Sequence, residues 1–118
     1  QVSIVNGRMS QSRSFTYVGD VVDALVTLAQ TPAAVGEVLN IGGAQEITIR
    51  ELAERVRARA NSQSPIVLIP YDQAYESGFE AMPRRVPDTS KINRVIGFQP
   101  RVGLDDIIAE VIDYFQSR

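Results

Sequence analysis

The chain has 118 residues, a formal net charge of −2, and 44% hydrophobic and 22% charged residues, the profile of one ordinary globular unit. It contains neither cysteine nor histidine, which excludes a disulfide framework, a thiolate metal site, a cysteine nucleophile and any histidine-based triad. The slightly acidic balance argues against a nucleic-acid surface, and no apolar run approaches the length of a membrane span. Gln1 is not an initiator methionine, so the chain reads as an excerpt or a processed product, with a cytoplasmic location expected.

Val2 to Val5 is β-prone, Asn6-Gly7 is a turn signal, and Phe15 to Val18 is again β-prone, so residues 2–18 read as a hairpin-like pair joined by the polar loop Arg8 to Ser14. Asp20 is a good N-cap for a helix whose apolar stripe is Val21, Ala24, Leu25, Leu28 and Ala29, and which stops before Pro32. Glu37 to Ile41 has the composition of a short buried strand, closed by Gly42-Gly43. Thr48 and Glu51 form a capping box for the next helix, with Leu52, Ala53, Val56 and Ala60 inward, and Arg50–Glu54 and Glu51–Arg55 paired outside. Ile66 to Ile69, between Pro65 and Pro70, is a strand.

Residues 71–88 are the least regular stretch, with a helical turn expected across 72–77 and an extended arm after it. Tyr71, Tyr75 and Phe79 recur at four-residue spacing, as core aromatics do. A helix is predicted from about Thr89 to Ile96, stopped by Gly97. The last helix carries a wide apolar stripe of Leu104, Ile107, Ile108, Val111, Ile112 and Phe115, with Asp105 and Asp106 at its positive end. The order β-β-α-β-α-β-α-α describes a small α/β domain of short strands and about four helices.

Eleven arginines stand beside the single Lys91. An arginine presents a rigid, permanently charged fork suited to phosphate, although codon bias gives the same ratio. Two arginines have suggestive neighbours. Arg13 lies in the polar loop Ser10-Gln11-Ser12-Arg13, where a guanidinium at a strand's start can be aimed into a cleft; residue type alone favours a solvated hairpin arginine. Arg85 lies in Arg84-Arg85-Val86-Pro87-Asp88, an arm stiffened by Pro83 and Pro87; Asp88 is a helix cap or an acceptor for a sugar hydroxyl. Gly42-Gly43 permits close backbone approach to a ligand or simply a turn, and no Gly-x-Gly-x-x-Gly opens a helix.

Taken together, four ordered blocks resemble the C-terminal part of the NAD-dependent nucleotide-sugar epimerases and dehydratases, the extended short-chain dehydrogenase/reductase family. The blocks are Gln11-Ser12-Arg13-Ser14-Phe15-Thr16-Tyr17-Val18-Gly19-Asp20-Val21-Val22; Val38-Leu39-Asn40-Ile41-Gly42; Glu46-Ile47-Thr48-Ile49-Arg50-Glu51-Leu52-Ala53; and Arg84-Arg85-Val86-Pro87-Asp88-Thr89-Ser90-Lys91 with Ile96-Gly97-Phe98-Gln99-Pro100. The resemblance covers essentially all of residues 1–118, read as one partial unit, the nucleotide-sugar-binding domain without its Rossmann half. It implies that Arg13 and Arg85 hold the substrate's diphosphate, with Phe15, Asp88 and Gln11 beside the nucleotide. Each charged hydrogen bond to that group contributes roughly 1.5–3 kcal/mol.

The same resemblance implies a cofactor, NAD, bound by the N-terminal half and not by these residues, with that half as a partner and the intact enzyme a homodimer. The family's base is a tyrosine followed four residues later by lysine. Here Val21, Tyr75, Phe79 and Arg118 stand four after the four tyrosines, so no catalytic or metal-binding residue is assigned and the chain alone is expected to be inactive. Gly7-Arg8-Met9 is a smaller departure, in the turn before Arg13. Within the family the arm around Arg84-Arg85 leans toward a UDP-sugar enzyme most like UDP-glucose 4-epimerase, with a nucleotide-sugar 4,6-dehydratase or a UDP-glucuronate decarboxylase as alternatives. A reading of another class is a non-catalytic α/β interaction module. An excised domain is expected to expose apolar surface where its other half docks.

Overall fold

The computed structural model describes residues 2–5, 11–43, 45–69 and 84–117. Among them are five strands, β1 (Val2–Val5), β2 (Ser12–Ser14), β3 (Glu46–Thr48), β4 (Ile66–Ile69) and β5 (Arg84–Arg85). Four helices accompany them: α1 (Val18–Ala29), α2 (Ile49–Arg59), α3 (Ser90–Ile96) and α4 (Leu104–Gln116). The result is the small α/β domain with four helices expected from the sequence.

Local signals account for three of the helix ends. The Thr48 hydroxyl accepts the Glu51 N–H at 3.2 Å and so caps α2. Gly97 ends α3 in the left-handed region, φ 67°, where a glycine meets no steric penalty. Gln30 and Thr31 close α1 on the carbonyls of Thr27 and Leu28 before Pro32, which opens a short 3₁₀ turn, Pro32–Ala34.

The strands form two separate groups. β1 pairs with β4 in parallel, Val2 opposite Ile66 through Val5 opposite Ile69. β2 is the centre of a three-stranded sheet, antiparallel to β3 on one side and parallel to β5 on the other. The expected hairpin across residues 2–18 is therefore corrected, because its two strands belong to different sheets. A turn signal is local, whereas a strand takes whichever partner tertiary packing supplies. The second strand also lies earlier than expected, at Ser12–Ser14, and Val18 already belongs to α1.

Asp20 has a different role from the one expected. It does not cap α1 but lies inside its first turn, 7% exposed, and Oδ2 accepts the N–H groups of Arg101 and Val102 at 2.9 and 3.1 Å. The buried carboxylate thus ties α1 to the segment entering α4, across 81 residues of sequence. Two further expectations are corrected. Residues 37–43 form no strand, and Glu37 and Val38 are exposed. Arg55 pairs with Asp105 at 3.5 Å rather than with Glu51, because α4 packs beside α2. The helical turn expected at 72–77, and Tyr71, Tyr75 and Phe79, lie outside the described residues.

The buried hydrophobic residues among those described are Ala24, Ile47, Ala53, Ile92 and Ile108, with Ile92 fully enclosed. The opposite face of α1 is left uncovered: Val18 (69% exposed), Val22, Leu25 and Val26 all face outward. Removing the Asp20 carboxylate orphans two backbone donors, so Asp20→Ala is expected to cost about 2–3 kcal/mol in urea denaturation, with Asp20→Asn costing less because its carbonyl still accepts.

Candidate functional site

β2 holds Arg13 between two neighbours. Its antiparallel partner opposite Arg13 is Ile47, and its parallel partner opposite Arg13 is Arg85. Residues paired across adjacent strands project to the same face, so Ile47, Arg13 and Arg85 form a row across the sheet. Ile47 is buried, Arg13 half-buried and Arg85 exposed, so the row runs from the core to the surface. Arg13 Nη1 donates to the carbonyl of Ser12 at 2.6 Å. Among the described residues neither Arg13 nor Arg85 forms an ion pair with a carboxylate. Like charges directly opposite each other in a sheet repel, and here no described carboxylate offsets them.

The other face of β2 is tied down. Ser12 Oγ donates to Glu46 Oε2 at 2.6 Å, and Ser14 Oγ donates to the Gly43 carbonyl. The next hydroxyl, Thr16 Oγ1, accepts the Gly43 N–H at 2.8 Å. The alternation Ser12, Ser14, Thr16 thus fixes one side of the segment that carries Arg13 and Phe15 on the other. No sequence signal singled out these hydroxyls, since their partners lie 27 to 34 residues away.

The remaining residues expected at the site lie around this row in different roles. Gln11 is half-buried just before β2, and its carbonyl accepts the Ile49 N–H at 3.0 Å, extending the ladder with β3. Phe15, 38% exposed, lines a cleft of about 310 Å³ with Gly43, Ile47, Arg55, Arg101 and Leu104. Asp88 is a cap: its Oδ1 accepts the Ser90 N–H at 3.0 Å and the Ser90 hydroxyl at 2.7 Å, opening α3. Those bonds hold the Asp88 carboxyl below its ordinary value. The structure brings Arg13 and Arg85 into register and leaves Asp88 three residues beyond, at the mouth of α3.

The described β3–α2 junction lacks the glycines of a phosphate-binding turn; it runs through Thr48-Ile49-Arg50, with a threonine cap. Among the described residues no cluster of three or more acidic side chains could hold a metal ion, and no helix is long and apolar enough to cross a membrane.

Comparison with known proteins identifies the family. The family model described as GDP-mannose 4,6 dehydratase matches residues 1–111. The chain belongs to that family, among the NAD-dependent nucleotide-sugar epimerases and dehydratases. It is 36% identical over 114 residues to a UDP-N-acetyl-alpha-D-glucosaminuronate decarboxylase of Bacillus cytotoxicus, covering 97% of this chain and 35% of that protein. It is 30% identical over 122 residues to UDP-D-apiose/UDP-D-xylose synthase 1 of Arabidopsis thaliana, covering 96% of this chain and 31% of that one.

Among solved structures, the UDP-glucose 4-epimerase of Thermotoga maritima with UDP-glucose superposes with a TM-score of 0.84 at 22% identity, over 99% of this chain and 35% of that one. The fold is therefore that of the family's epimerases. The chain spans about a third of the length of these relatives.

Two capped or paired carboxyls make this region pH-sensitive. Lys91 Nζ lies 2.5 Å from Glu37 Oε2 and holds the Glu37 carboxyl below its ordinary value, as Ser90 does for Asp88. A carboxyl lowered by folding contributes stability that is complete above its ordinary range and disappears as pH falls through the lowered value. Carbon-detected NMR titration should find both carboxyls protonating below the ordinary range of their residue types, with the α3 amide shifts following the Asp88 transition.

Proposed function

We propose that this chain is the nucleotide-sugar-binding portion of a larger NAD-dependent enzyme, in which Arg13 and Arg85 grip the diphosphate of a UDP-sugar. The observation that carries the reading is the register of β2 and β5, two permanently charged forks side by side with no described carboxylate to neutralise them. A bridging dianion relieves their repulsion and gains charge-assisted hydrogen bonds from both. The half-buried setting of Arg13 beside Ile47 lowers the local dielectric and strengthens that attraction. Phe15, on the same strand's exit, supplies an apolar surface for the nucleotide, and Gln11 a polar side chain at the strand's entry. Asp88 is committed to capping α3 through one carboxylate oxygen and orders the arm that carries Arg85.

Binding remote from the reacting sugar is useful because it orients the substrate for chemistry done elsewhere. The redox step at the sugar belongs to the portion outside this chain, since no dinucleotide turn and no Tyr-x-x-x-Lys occur here. The chain by itself is thus a binding domain without turnover. For the intact protein the notable likeness is to a decarboxylase acting on a UDP-linked sugar acid, and this supports decarboxylation as a second reading beside 4-epimerisation. Either reading places the same demand on Arg13 and Arg85.

The uncovered face of α1 fits this reading. Val22, Leu25 and Val26 are each at least half exposed, and Val35 and Val38 beyond the helix are more exposed still. The occupant we assign is the remaining portion of the intact enzyme, which accounts for about two-thirds of the relatives' length. Val22→Lys and Leu25→Lys are expected to reduce the binding of a hydrophobic fluorescent dye while moving the urea-derived stability by no more than about 0.5 kcal/mol. Unchanged dye binding would remove the apolar face from the argument.

Titrating UDP against the chain by NMR tests the grip directly. Arg13→Ala and Arg85→Ala should each weaken UDP binding by about tenfold to a hundredfold, the loss of one charged contact, while leaving any uridine binding unaltered. Equal UDP binding by the wild type and both variants would make the arginines surface charge and favour a protein-interaction module.

A further inference from the structure

The glycine pair at 42–43 touches both arginine-bearing segments. On one side, a Cβ added to Gly42 would lie 2.6 Å from Pro87 Cγ, two residues after Arg85. On the other, a Cβ added to Gly43 would lie 3.0 Å from the Phe15 carbonyl oxygen, two residues after Arg13. Both glycines are buried, and neither has a positive φ, so what the positions require is the absence of a side chain rather than special backbone freedom.

Hydrogen bonds extend the same bridge. Gly43 accepts from Ser14 Oγ and donates to Thr16 Oγ1. Asn40 Nδ2 donates to the Asp88 carbonyl at 3.4 Å, and Lys91 Nζ donates to the Val38 carbonyl at 3.1 Å. Residues 37–43 therefore form a strap from the exit of β2 to the exit of β5.

Such a strap matters because β5 is only two residues long and pairs with β2 at two positions, Ser12 opposite Arg84 and Arg13 opposite Arg85. So short a ladder specifies register weakly, and a slip of one residue turns every side chain to the other face. We propose that the Gly42-Gly43 strap is a spacer that pins β5 in register and sets the separation of Arg13 and Arg85, making the site selective for a two-phosphate anion over a single phosphate. The inference rests on the diphosphate reading above and adds to it the residues that decide selectivity. A lone phosphate is satisfied by either guanidinium, whereas pyrophosphate needs both at a fixed spacing.

The test is NMR titration of the 118-residue chain with inorganic pyrophosphate and, separately, inorganic phosphate, following backbone amides. The wild type should prefer pyrophosphate by about tenfold, and Gly42→Ala should bring that ratio close to one by wedging Pro87 away. The double variant Gly42→Ala with Pro87→Ala removes the clashing Cγ and should restore the preference, which a merely destabilising substitution would not do. If Gly42→Ala does not fold, the double variant decides alone: a folded double variant with the wild-type ratio supports the spacer, and a folded one with no preference overturns it.

A Gly42→Ala variant that folds and keeps the wild-type ratio overturns the spacer while leaving the arginine grip intact. If instead the wild type shows no pyrophosphate binding, or Arg13→Ala and Arg85→Ala bind it as the wild type does, the diphosphate reading itself fails and the spacer with it.

Discussion

The pairing of β2 with β5 is the contact on which the rest depends, because it converts two arginines 72 residues apart in sequence into neighbours on one sheet face. Everything around it stabilises that pairing from outside the ladder. β3 flanks β2 on the other edge and sets Ile47 into the core opposite Arg13. The three hydroxyls of Ser12, Ser14 and Thr16 anchor the back of the strand to Glu46 and Gly43. Cap and strap contacts at Pro87, Asp88 and Lys91 steady the arm beyond β5. A charge pair of like sign is held together by hydrogen bonds and packing outside it.

The described buried apolar side chains are two alanines and three isoleucines, while valines and a leucine on α1 face outward. Burial of apolar surface is the main favourable term in folding, so a domain arranged this way draws on polar anchors to hold its elements in place. Asp20 is the clearest of them, joining α1 to the segment before α4 through two backbone donors. Tyr17 adds a second tie by donating to Glu110 at 3.2 Å, and the bond together with the nearby negative charge raises the tyrosine's pKa above its ordinary value. The relatives are about three times as long, which supports the proposal that the remaining portion covers the exposed face.

Local chemistry was legible wherever an element carried its own punctuation. Thr48 at a helix mouth, Gly97 at a helix end and the apolar stripe from Leu104 each act within one or two turns of chain, so α2, α3 and α4 lie close to where the residues predict them. Residues 37–41 were misread as a strand because a β-prone composition says nothing about whether a partner edge is free; here residues 37–43 spend their polar groups on Ser14, Thr16, Asp88 and Lys91 instead. Asp20 was misread for a related reason. A carboxylate near a helix start looks like a cap, but its acceptors were taken by amides 81 and 82 residues downstream.

By itself the sequence determined the helices and the family, and it put forward Arg13 and Arg85 as candidates, because capping, periodicity and ordered motifs are written in residues close together along the chain. Only the tertiary structure decided that β1 joins β4, that β2 lies between β3 and β5, and that Arg13 faces the same way as Arg85. Strand pairing is a contest among edges distant in sequence, settled by packing and by which hydrogen bonds remain to be satisfied, and no local pattern encodes its outcome.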